Sequence, residues 1–415
     1  MRYRVLVEVE YFIALCNIPL PQLQPIDKEK LEAIKKVYIG FTEEDAGQIK
    51  AIEKTTNHDV KAVEYFVRDK LKEHGLGDYE SFIHFGLTSQ DVNNTSIPLS
   101  LMEALIDILY PSVLQAVKKI SGLAKEWEKI PMLARTHGQP ASPTRLGKEL
   151  RVFVERLEEQ FGQLKEIKHS AKFGGATGNF NAHHVAYPEV DWVSFANSFV
   201  NDKLGLSRSS TTTQIEHYDN LAALCDAISR INTIVIDLDR DIWQYISMGY
   251  FAQKINKAET GSSAMPHKVN PIDFENSEGN AGMANAMFSH FSAKLPISRL
   301  QRDLTDSTVL RNIGVPIAHT LISFTSLLKG LDKLIINEKV IASDLEDNSM
   351  VIAEAIQTVL RREGIDDAYE KLKEFSRSNE KLNGEAFHQF IDELNVSESI
   401  KIELKAITPG SYTGI

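Results

Sequence analysis

The segment LAALCDAISRINTIVIDLDRDIWQY, residues 221–245, places apolar side chains at alternating spacings of three and four. The series continues without a slip through these positions: Leu221, Leu224, Ile228, Ile231, Val235, Leu238, Ile242 and Tyr245. An apolar seam of this period, sustained over many turns, predicts a long helix that packs at a shallow angle against other helices.

Three further segments repeat the same spacing, at residues 113–127, 146–157 and 313–335. Strand-like sequence is scarce outside residues 1–16, where alternating valines are typical of a strand but no partner strand lies nearby. The structure of residues 1–16 therefore stays open. The remaining pattern predicts an all-α fold built around a bundle of very long helices.

Changes in pattern along the chain predict three domains. Residues 1–88 form an N-terminal helical domain, and residues 89–335 form the central domain with the long helices. After about Asn337 the helical segments are shorter and more charged, so residues 336–415 form a C-terminal helical domain. Residues 173–217, rich in glycine, asparagine and threonine, predict loops and turns.

The composition is that of an ordinary globular protein of 415 residues, with 43% hydrophobic and 25% charged residues. The net charge of −11, without a block of basic residues, argues against nucleic acid or an anionic membrane as partner. The two cysteines, Cys16 and Cys225, predict neither a disulfide framework nor a zinc site. No signal peptide or membrane-spanning segment is recognised, which predicts a cytoplasmic protein.

The segment AETGSSAMPHKVNPIDFENSEGN, residues 258–280, interrupts the helical pattern with glycine, hydroxyl, amide and basic residues. Gly261, Pro266 and Pro271 argue against a continuous helix, so the first half is predicted to be a loop and Glu275 to lie near the next helix start. Such a loop can hold an anion and move a proton, although a solvated connector has the same composition.

Four further polar segments interrupt good helical sequence. They are residues 55–59 (TTNHD), residues 84–91 (HFGLTSQD), residues 135–140 (RTHGQP) and residues 301–311 (QRDLTDSTVLR). Their histidines are equally typical of capping or buried hydrogen-bonded residues. Thr88-Ser89 and Asp59 also have an interpretation as helix caps, and Arg302 and Arg311 as surface salt bridges.

The spacing of two of these segments bears on assembly. Residues 84–91 and 135–140 lie at opposite ends of one predicted helix of about 38 residues, which would be roughly 57 Å long at 1.5 Å per residue. The two segments cannot then share a site within one chain. If both are catalytic, the protein is predicted to be an oligomer whose subunits complete each other's sites.

The order Ser-Ser-x-Met-Pro-x-Lys-x-Asn-Pro at residues 262–271 resembles the signature of the fumarase/aspartase superfamily. From about Val5 to about Thr413 the chain resembles the adenylosuccinate lyase family, in particular its bacterial long form. The resemblance implies a fumarase/aspartase-like, all-α, three-domain fold in a homotetramer with sites shared between subunits. It implies β-elimination of fumarate from two succinylated purine nucleotides, with no metal or organic cofactor.

The resemblance also implies residue roles. Ser262 matches the general base, His137 the general acid, Glu275 its acidic partner, and Lys268 a stabiliser of the carboxylate. Positions that match substrate contacts are Asn57, His58, Asp59, His84, Thr88, Ser89, Thr136, Gln214, Ser263, Met265, Asn270, Arg302, Ser307 and Arg311. Ser263 is a second choice for the base, and the group that activates Ser262 is not identified by the sequence.

Two departures from the family pattern are expected to affect phosphate binding. A leading segment with an Arg-Tyr pair has no counterpart before Arg2, and the chain ends at Ile415, short of the usual last helix. Argininosuccinate lyase, fumarase and aspartase remain alternatives within the superfamily. A catalytically silent helical oligomer is the alternative from another class.

Overall fold

The computed structural model describes residues 1–23, 26–254, 269–365, 367–378 and 384–415. Helices dominate these residues, as the apolar periodicity predicts. The α-helices are α1 (Arg2–Cys16), α2 (Lys28–Ile39), α3 (Glu43–Thr56), α4 (Asp59–Glu73), α5 (Ser89–Ala104), α6 (Tyr110–Glu126), α7 (Leu146–Glu166), α8 (Asn181–Ala186), α9 (Trp192–Asn197), α10 (Asp219–Ser247), α11 (Ile272–Lys294), α12 (Thr305–Leu310), α13 (Gly314–Lys333), α14 (Glu338–Asp347), α15 (Ala353–Arg362), α16 (Ala368–Ser378), α17 (Gly384–Glu393) and α18 (Glu398–Lys405).

Within the described ranges, six short strands form three two-stranded sheets that the sequence pattern did not predict. The strands are β1 (Pro131–Thr136), β2 (Gln139–Arg145), β3 (Ser170–Ala171), β4 (Ser207–Arg208), β5 (Phe251–Gln253) and β6 (Leu334–Ile336). β1 pairs antiparallel with β2, β3 pairs parallel with β4, and β5 pairs antiparallel with β6. These sheets are small additions to a mainly helical architecture.

The ambiguous N-terminal segment is the helix α1, and its strand-like alternation is misleading. Almost every face of this helix is buried, because Val5, Val7 and Val9 lie in the core together with Glu8 and Glu10. A helix that is buried on all sides loses the one-sided apolar period that identifies amphipathic helices.

The long helices follow the predicted seams closely. α10 covers the whole quoted segment, and α7 covers residues 146–157. α6 ends at Glu126, one residue before the end of its seam, and α13 ends at Lys333, so Ile335 of the last seam lies on β6 instead. A single helical run of 38 residues extends from Ser89 to Glu126, through α5, a π-helical turn at Leu105–Leu109 and α6. The π-helical turn precedes Pro111, so the chain accommodates this proline without ending the helix.

This run is an exception to the prediction that no segment reaches membrane-spanning length. By length and composition alone, Ser89–Glu126 could cross a bilayer, a property that the core helices of soluble proteins share.

The described chain divides into two compact units, each assembled from separate segments. Unit 1 consists of residues 1–111, 162–230 and 284–318, and unit 2 of residues 112–161, 231–283 and 319–415. Unit 1 has a large core to which α1, α4 and the α9 region contribute, including Tyr11, Phe66 and Phe199. Unit 2 contains a separate hydrophobic core, whose buried side chains come from residues 352–404 and so from α15, α16, α17 and α18. The three sequential domains stay a prediction.

A buried carboxyl group in unit 2 makes stability depend on pH. Asp239 on α10 is only 1% exposed, and burial raises its pKa to about 8, an effect that the Ser277 hydroxyl reverses only in part. Between about pH 4 and 8 the folded chain therefore binds a proton that the unfolded chain has lost. Stability contributed at this position falls as pH rises through that range.

We expect Asp239→Asn to remove this dependence, because the neutral amide has a similar shape and no proton to lose. The difference in unfolding free energy between the variant and the native chain should grow in favour of the variant by up to about 1.4 kcal/mol per pH unit. Urea unfolding of both chains from pH 5 to pH 8 measures it. If the unfolding free energies of the two chains change with pH in parallel, the assignment of a protonated Asp239 is contradicted.

Candidate active site

The segment of residues 57–59 connects α3 to α4 in unit 1. Asn57 ends α3 in the left-handed conformation, with φ 50°. His58, not Asp59 as the cap interpretation had it, caps α4: its Nδ1 accepts a hydrogen bond from Lys61 N–H at 3.1 Å. The other ring nitrogen, Nε2, lies 3.4 Å from the hydroxyl of Ser89. The structure thus brings together two of the polar segments that the sequence singled out.

A cleft of about 190 Å³ lies beside this segment and is lined by Arg4, Ser307 and Arg311, among others. Arg4 Nη2 lies 3.0 Å from Asp59 Oδ2. Burial raises the pKa of the Asp59 carboxyl, whereas Arg4, the Val60 N–H and Arg311 lower it. The lowering effects are larger, so the pKa of Asp59 lies below its usual value. Two guanidinium groups and a hydroxyl form a suitable surface for a phosphate group.

Gln214 and Arg302 contact each other directly. Arg302 Nη1 donates to Gln214 Oε1 at 3.2 Å, and Gln214 Nε2 donates to the carbonyl oxygen of Ala176 at 3.2 Å. Arg302 Nη2 also lies 3.9 Å from Asp306, whose second carboxylate oxygen accepts from the hydroxyl of Tyr218. Arg302 is therefore held by a network, and the interpretation as a simple surface salt bridge does not describe it.

His84 contacts a buried carboxylate. Its Nδ1 lies 2.6 Å from Oε1 of Glu8, which has no exposed surface. Burial lowers the pKa of the His84 imidazole, but the attraction of Glu8 outweighs it and the pKa is raised. The protonated form is thus favoured, which suits a residue placed to attract an anion.

Thr88 and Ser89 begin α5, in agreement with the helix-cap interpretation of these two residues. The Thr88 N–H donates to Oδ2 of Asp91 at 2.8 Å. Both residues are half-buried, so part of each remains exposed at the start of the helix. A helix start favours negative charge, such as the carboxylates that the resemblance assigns to this position.

In unit 2, Thr136 and His137 lie on a β-hairpin, where the sequence pattern predicted only a polar interruption of a helix. Thr136 pairs with Gln139 in the β1–β2 sheet, so His137 and Gly138 form a two-residue loop. Both loop residues have positive φ, 54° and 74°, as a type I′ turn requires. The His137 side chain is exposed and has no hydrogen bond to any residue in the described part of the chain.

Asn270 and Glu275 lie at the start of α11, also in unit 2. Glu275 accepts a hydrogen bond from Trp243 Nε1 at 3.1 Å, and its carboxylate is exposed. Within the described residues of one chain, Glu275 does not contact His137, so the predicted pairing of these two side chains stays a prediction. Ser262, Ser263, Met265 and Lys268 lie outside the described residues.

Several of the predicted positions have a left-handed backbone conformation. In the described residues, Asn57, His84 and His137 are three of the six non-glycine residues with positive φ. Asparagine and histidine adopt such conformations more readily than most residues, and left-handed residues are frequent at functional sites. This observation is independent of the sequence motifs that identified the three residues.

Two features of the site were missed by the sequence reasoning. Arg4 lines the cleft with Arg311, but its position in an apolar N-terminal segment gave no signal. The buried pair Asp91 and Lys172 lies beneath Thr88, and no local pattern connects residues so distant in sequence.

In the described ranges no group of three or more His, Cys, Asp or Glu side chains is arranged to hold a metal ion.

Comparison with known families gives two matches that together cover most of the chain. Residues 7–285 match a family described as Lyase, and residues 298–413 match a family described as Adenylosuccinate lyase C-terminal. In structure, the chain is similar to a 3-carboxy-cis,cis-muconate lactonizing enzyme from Pseudomonas putida, with a TM-score of 0.78, 21% identity, and coverage of 100% of this chain and 91% of that one. These matches define the class: a lyase built on a bundle of long helices.

Similarity to individual proteins is closer. The chain is 56% identical to the adenylosuccinate lyase of Dictyostelium discoideum, 49% to that of Vibrio cholerae and 48% to that of Escherichia coli K12. Each alignment covers 100% of this chain and 91% of the relative. The chain belongs to the adenylosuccinate lyase family.

Proposed function

We infer that the chain functions as an adenylosuccinate lyase of purine biosynthesis, cleaving adenylosuccinate into AMP and fumarate. The observation that carries this inference is the similarity to adenylosuccinate lyases over the entire chain, at 48% identity or more in three organisms. The succinylated aminoimidazole carboxamide ribotide of the same pathway carries the same group on nitrogen and is proposed as a second substrate.

The reaction is a β-elimination that needs a base and an acid but no redox partner. Ser262 removes a proton from the succinyl Cβ, the carbon next to the one that bears the nitrogen. The electron pair left on Cβ forms the double bond of fumarate as the C–N bond breaks, and His137 gives a proton to the departing nitrogen. Lys268 and Asn270 stabilise the negative charge that spreads into the carboxylate. We propose no metal ion and no organic cofactor, because each step transfers only a proton or the electron pair of the broken bond.

The nucleotide end of the substrate is proposed to bind in unit 1. Arg4, Ser307 and Arg311 line a cleft with the chemistry of a phosphate site. Asn57, His58 and Asp59 lie beside it, with Asp59 paired to Arg4. Arg302 and Gln214 supply a further guanidinium and an amide.

The active form is proposed to be a cytoplasmic homotetramer whose sites take residues from more than one subunit. Two side chains support this proposal. His137 is exposed, and Glu275 is bonded to Trp243, so within the described residues of one chain the proposed general acid and its acidic partner do not meet. The 38-residue helical run supports it too, since it exposes large apolar side chains such as Ile106 and Leu114, each 51% exposed. A surface of this kind is typical of a subunit interface.

The test is ultraviolet absorbance of the purified chain mixed with adenylosuccinate, following conversion to AMP and fumarate. Argininosuccinate, malate and aspartate, measured in the same way, separate the alternatives within the superfamily. Turnover of adenylosuccinate alone supports the proposal. Turnover of another compound instead would assign a different lyase activity, and silence on all four would favour the catalytically silent oligomer.

A further inference from the structure

We propose that the buried ion pair of Asp91 and Lys172 is a positioning unit for the substrate site. The pair holds the start of α5, with Thr88 and Ser89, against the glycine-rich loop of residues 174–178. This inference rests on the proposed function, because Thr88 and Ser89 are the residues proposed to bind the succinyl carboxylates. Neither charged residue is needed for proton transfer, so their role is exerted through the groups that they hold.

The geometry of the pair is that of a clamp on backbone groups. Asp91 Oδ1 lies 2.7 Å from Lys172 Nζ, and neither side chain has exposed surface. The same carboxylate accepts from Thr88 N–H at 2.8 Å through one oxygen and from Gly174 N–H at 2.8 Å through the other. Gly175 N–H lies 3.1 Å from both oxygens. One carboxylate thus joins the two backbone segments.

Lys172 fixes the loop from its other side. The ammonium group of Lys172 donates to the carbonyl oxygen of Gly175. The backbone N–H of Lys172 donates to the carbonyl oxygen of Asn94 at 3.3 Å, one turn beyond Asp91 on α5. The loop is tightly folded: Gly175 has φ +80°, and a Cβ added at Gly174 would lie 2.9 Å from the carbonyl oxygen of Gly178. The loop is therefore closely folded at the point where Asp91 and Lys172 bond its backbone.

The loop is also connected to residues of the proposed nucleotide end. The carbonyl oxygen of Ala176 accepts from Gln214, which in turn accepts from Arg302. A displacement of the loop would first affect Thr88 and Ser89, which share the carboxylate of Asp91. Arg302 would be affected less, because the interactions of its side chain with Asp306 do not pass through the loop.

Stability alone does not account for this pair. Burial lowers the pKa of the Lys172 ammonium, an effect that the Asp91 carboxylate opposes. Buried ion pairs of this kind often contribute no more stability than well-packed apolar residues of the same volume. The distinctive property of a carboxylate here is that it accepts from donors on both of its oxygens, which fixes two segments relative to each other.

The test uses the double variant Asp91→Asn/Lys172→Met, which removes both charges and leaves neither partner as an unpaired buried ion. The asparagine amide can accept at only one of its two positions, so either Thr88 or the loop loses its anchor. We expect the affinity for fumarate to fall about tenfold or more, while the affinity for AMP changes less than about threefold. Equilibrium binding of each compound to the tetramer measures both.

The matched control is Glu10→Gln/Lys203→Met. This pair also lies in unit 1 and joins a buried carboxylate, at 3.0 Å, to a lysine that is half exposed; neither residue is bonded to Thr88 or to the glycine loop. Its removal should leave both affinities unchanged. A parallel loss of fumarate and AMP affinity in the Asp91 variant would indicate general loosening and overturn the proposal, as would no change in either.

Amide hydrogen exchange separates failure of this proposal from failure of the proposed function. In the Asp91 variant, either the amide of Thr88 or the amides of Gly174 and Gly175 should exchange at least about tenfold faster than in the native chain, according to which side loses its acceptor oxygen and whatever ligand the protein binds. If the native chain binds neither fumarate nor AMP, the proposed function is wrong, and exchange at these three amides alone decides the positioning role. Unchanged exchange there would overturn it.

Discussion

Replacement of Ser262 by alanine is expected to lower kcat on adenylosuccinate by about 10²–10⁴, the usual contribution of a general base. The proton to be removed is next to a carboxylate and is only weakly acidic. Without the serine oxygen, no group at that position of the signature can accept it. Substrate binding should change little, because the replacement removes a single oxygen atom. Steady-state ultraviolet assays that separate kcat from KM measure both effects.

The matched control for this experiment is Ser263→Ala, which removes the neighbouring hydroxyl of the same segment. If Ser262 is the base, Ser263→Ala should retain most of kcat and mainly alter KM. A large loss of kcat in Ser263→Ala together with an active Ser262→Ala chain would assign the base to Ser263. Size-exclusion chromatography of both variants should give the native elution volume, since a change of assembly would also remove activity.

The long helices could be predicted from the sequence because their physical cause is periodic. The three-and-four spacing of residues 221–245 reflects one buried face, and α10 covers it completely. The capping box that begins α3 is also a local motif, because Thr42 and Asp45 lie three residues apart and bond each other's backbone N–H groups. Where burial is not one-sided, as in α1, the period is lost and the sequence gives no decisive signal.

The β1–β2 hairpin was missed for a different reason. Pro131, Pro140 and Pro143 argue against strands, because proline cannot donate to a ladder. An isolated two-stranded hairpin has no neighbouring strand on either side, so it tolerates prolines at edge positions. The His137-Gly138 loop lacks the Asn-Gly or Asp-Gly pair that usually identifies such a turn.

In the candidate site, too, local sequence motifs could be predicted and contacts between distant residues could not. Motifs compact in sequence, such as residues 57–59 and residues 88–89, could be identified, and the structure brings His58 to Ser89. Contacts between distant residues could not. Nothing local marks Arg4 as a partner of Asp59, or Lys172 as a partner of Asp91, because these pairs are created only by the packing of α1, α4, α5 and the glycine loop.

Replacement of His137 by asparagine is the second change with a large expected effect, a fall in kcat of about 10²–10⁴. Asparagine is chosen because residue 137 has φ 54° and Asn-Gly is the preferred pair for this turn. The hairpin should therefore keep its geometry and the melting temperature should not fall. The loss of activity would then reflect the missing imidazole. A variant that retains more than a tenth of kcat would exclude His137 as the general acid.

The same variant also tests whether sites are shared between subunits. His137→Asn and Arg302→Met alter residues of unit 2 and unit 1, respectively, and each variant alone should be nearly inactive. If each site combines His137 of one subunit with Arg302 of another, random exchange of subunits leaves about a quarter of the sites with both native residues. Mixed and reassembled variants should then regain about a quarter of native activity. Sites built within one chain would regain none, because every chain in the mixture carries one defect.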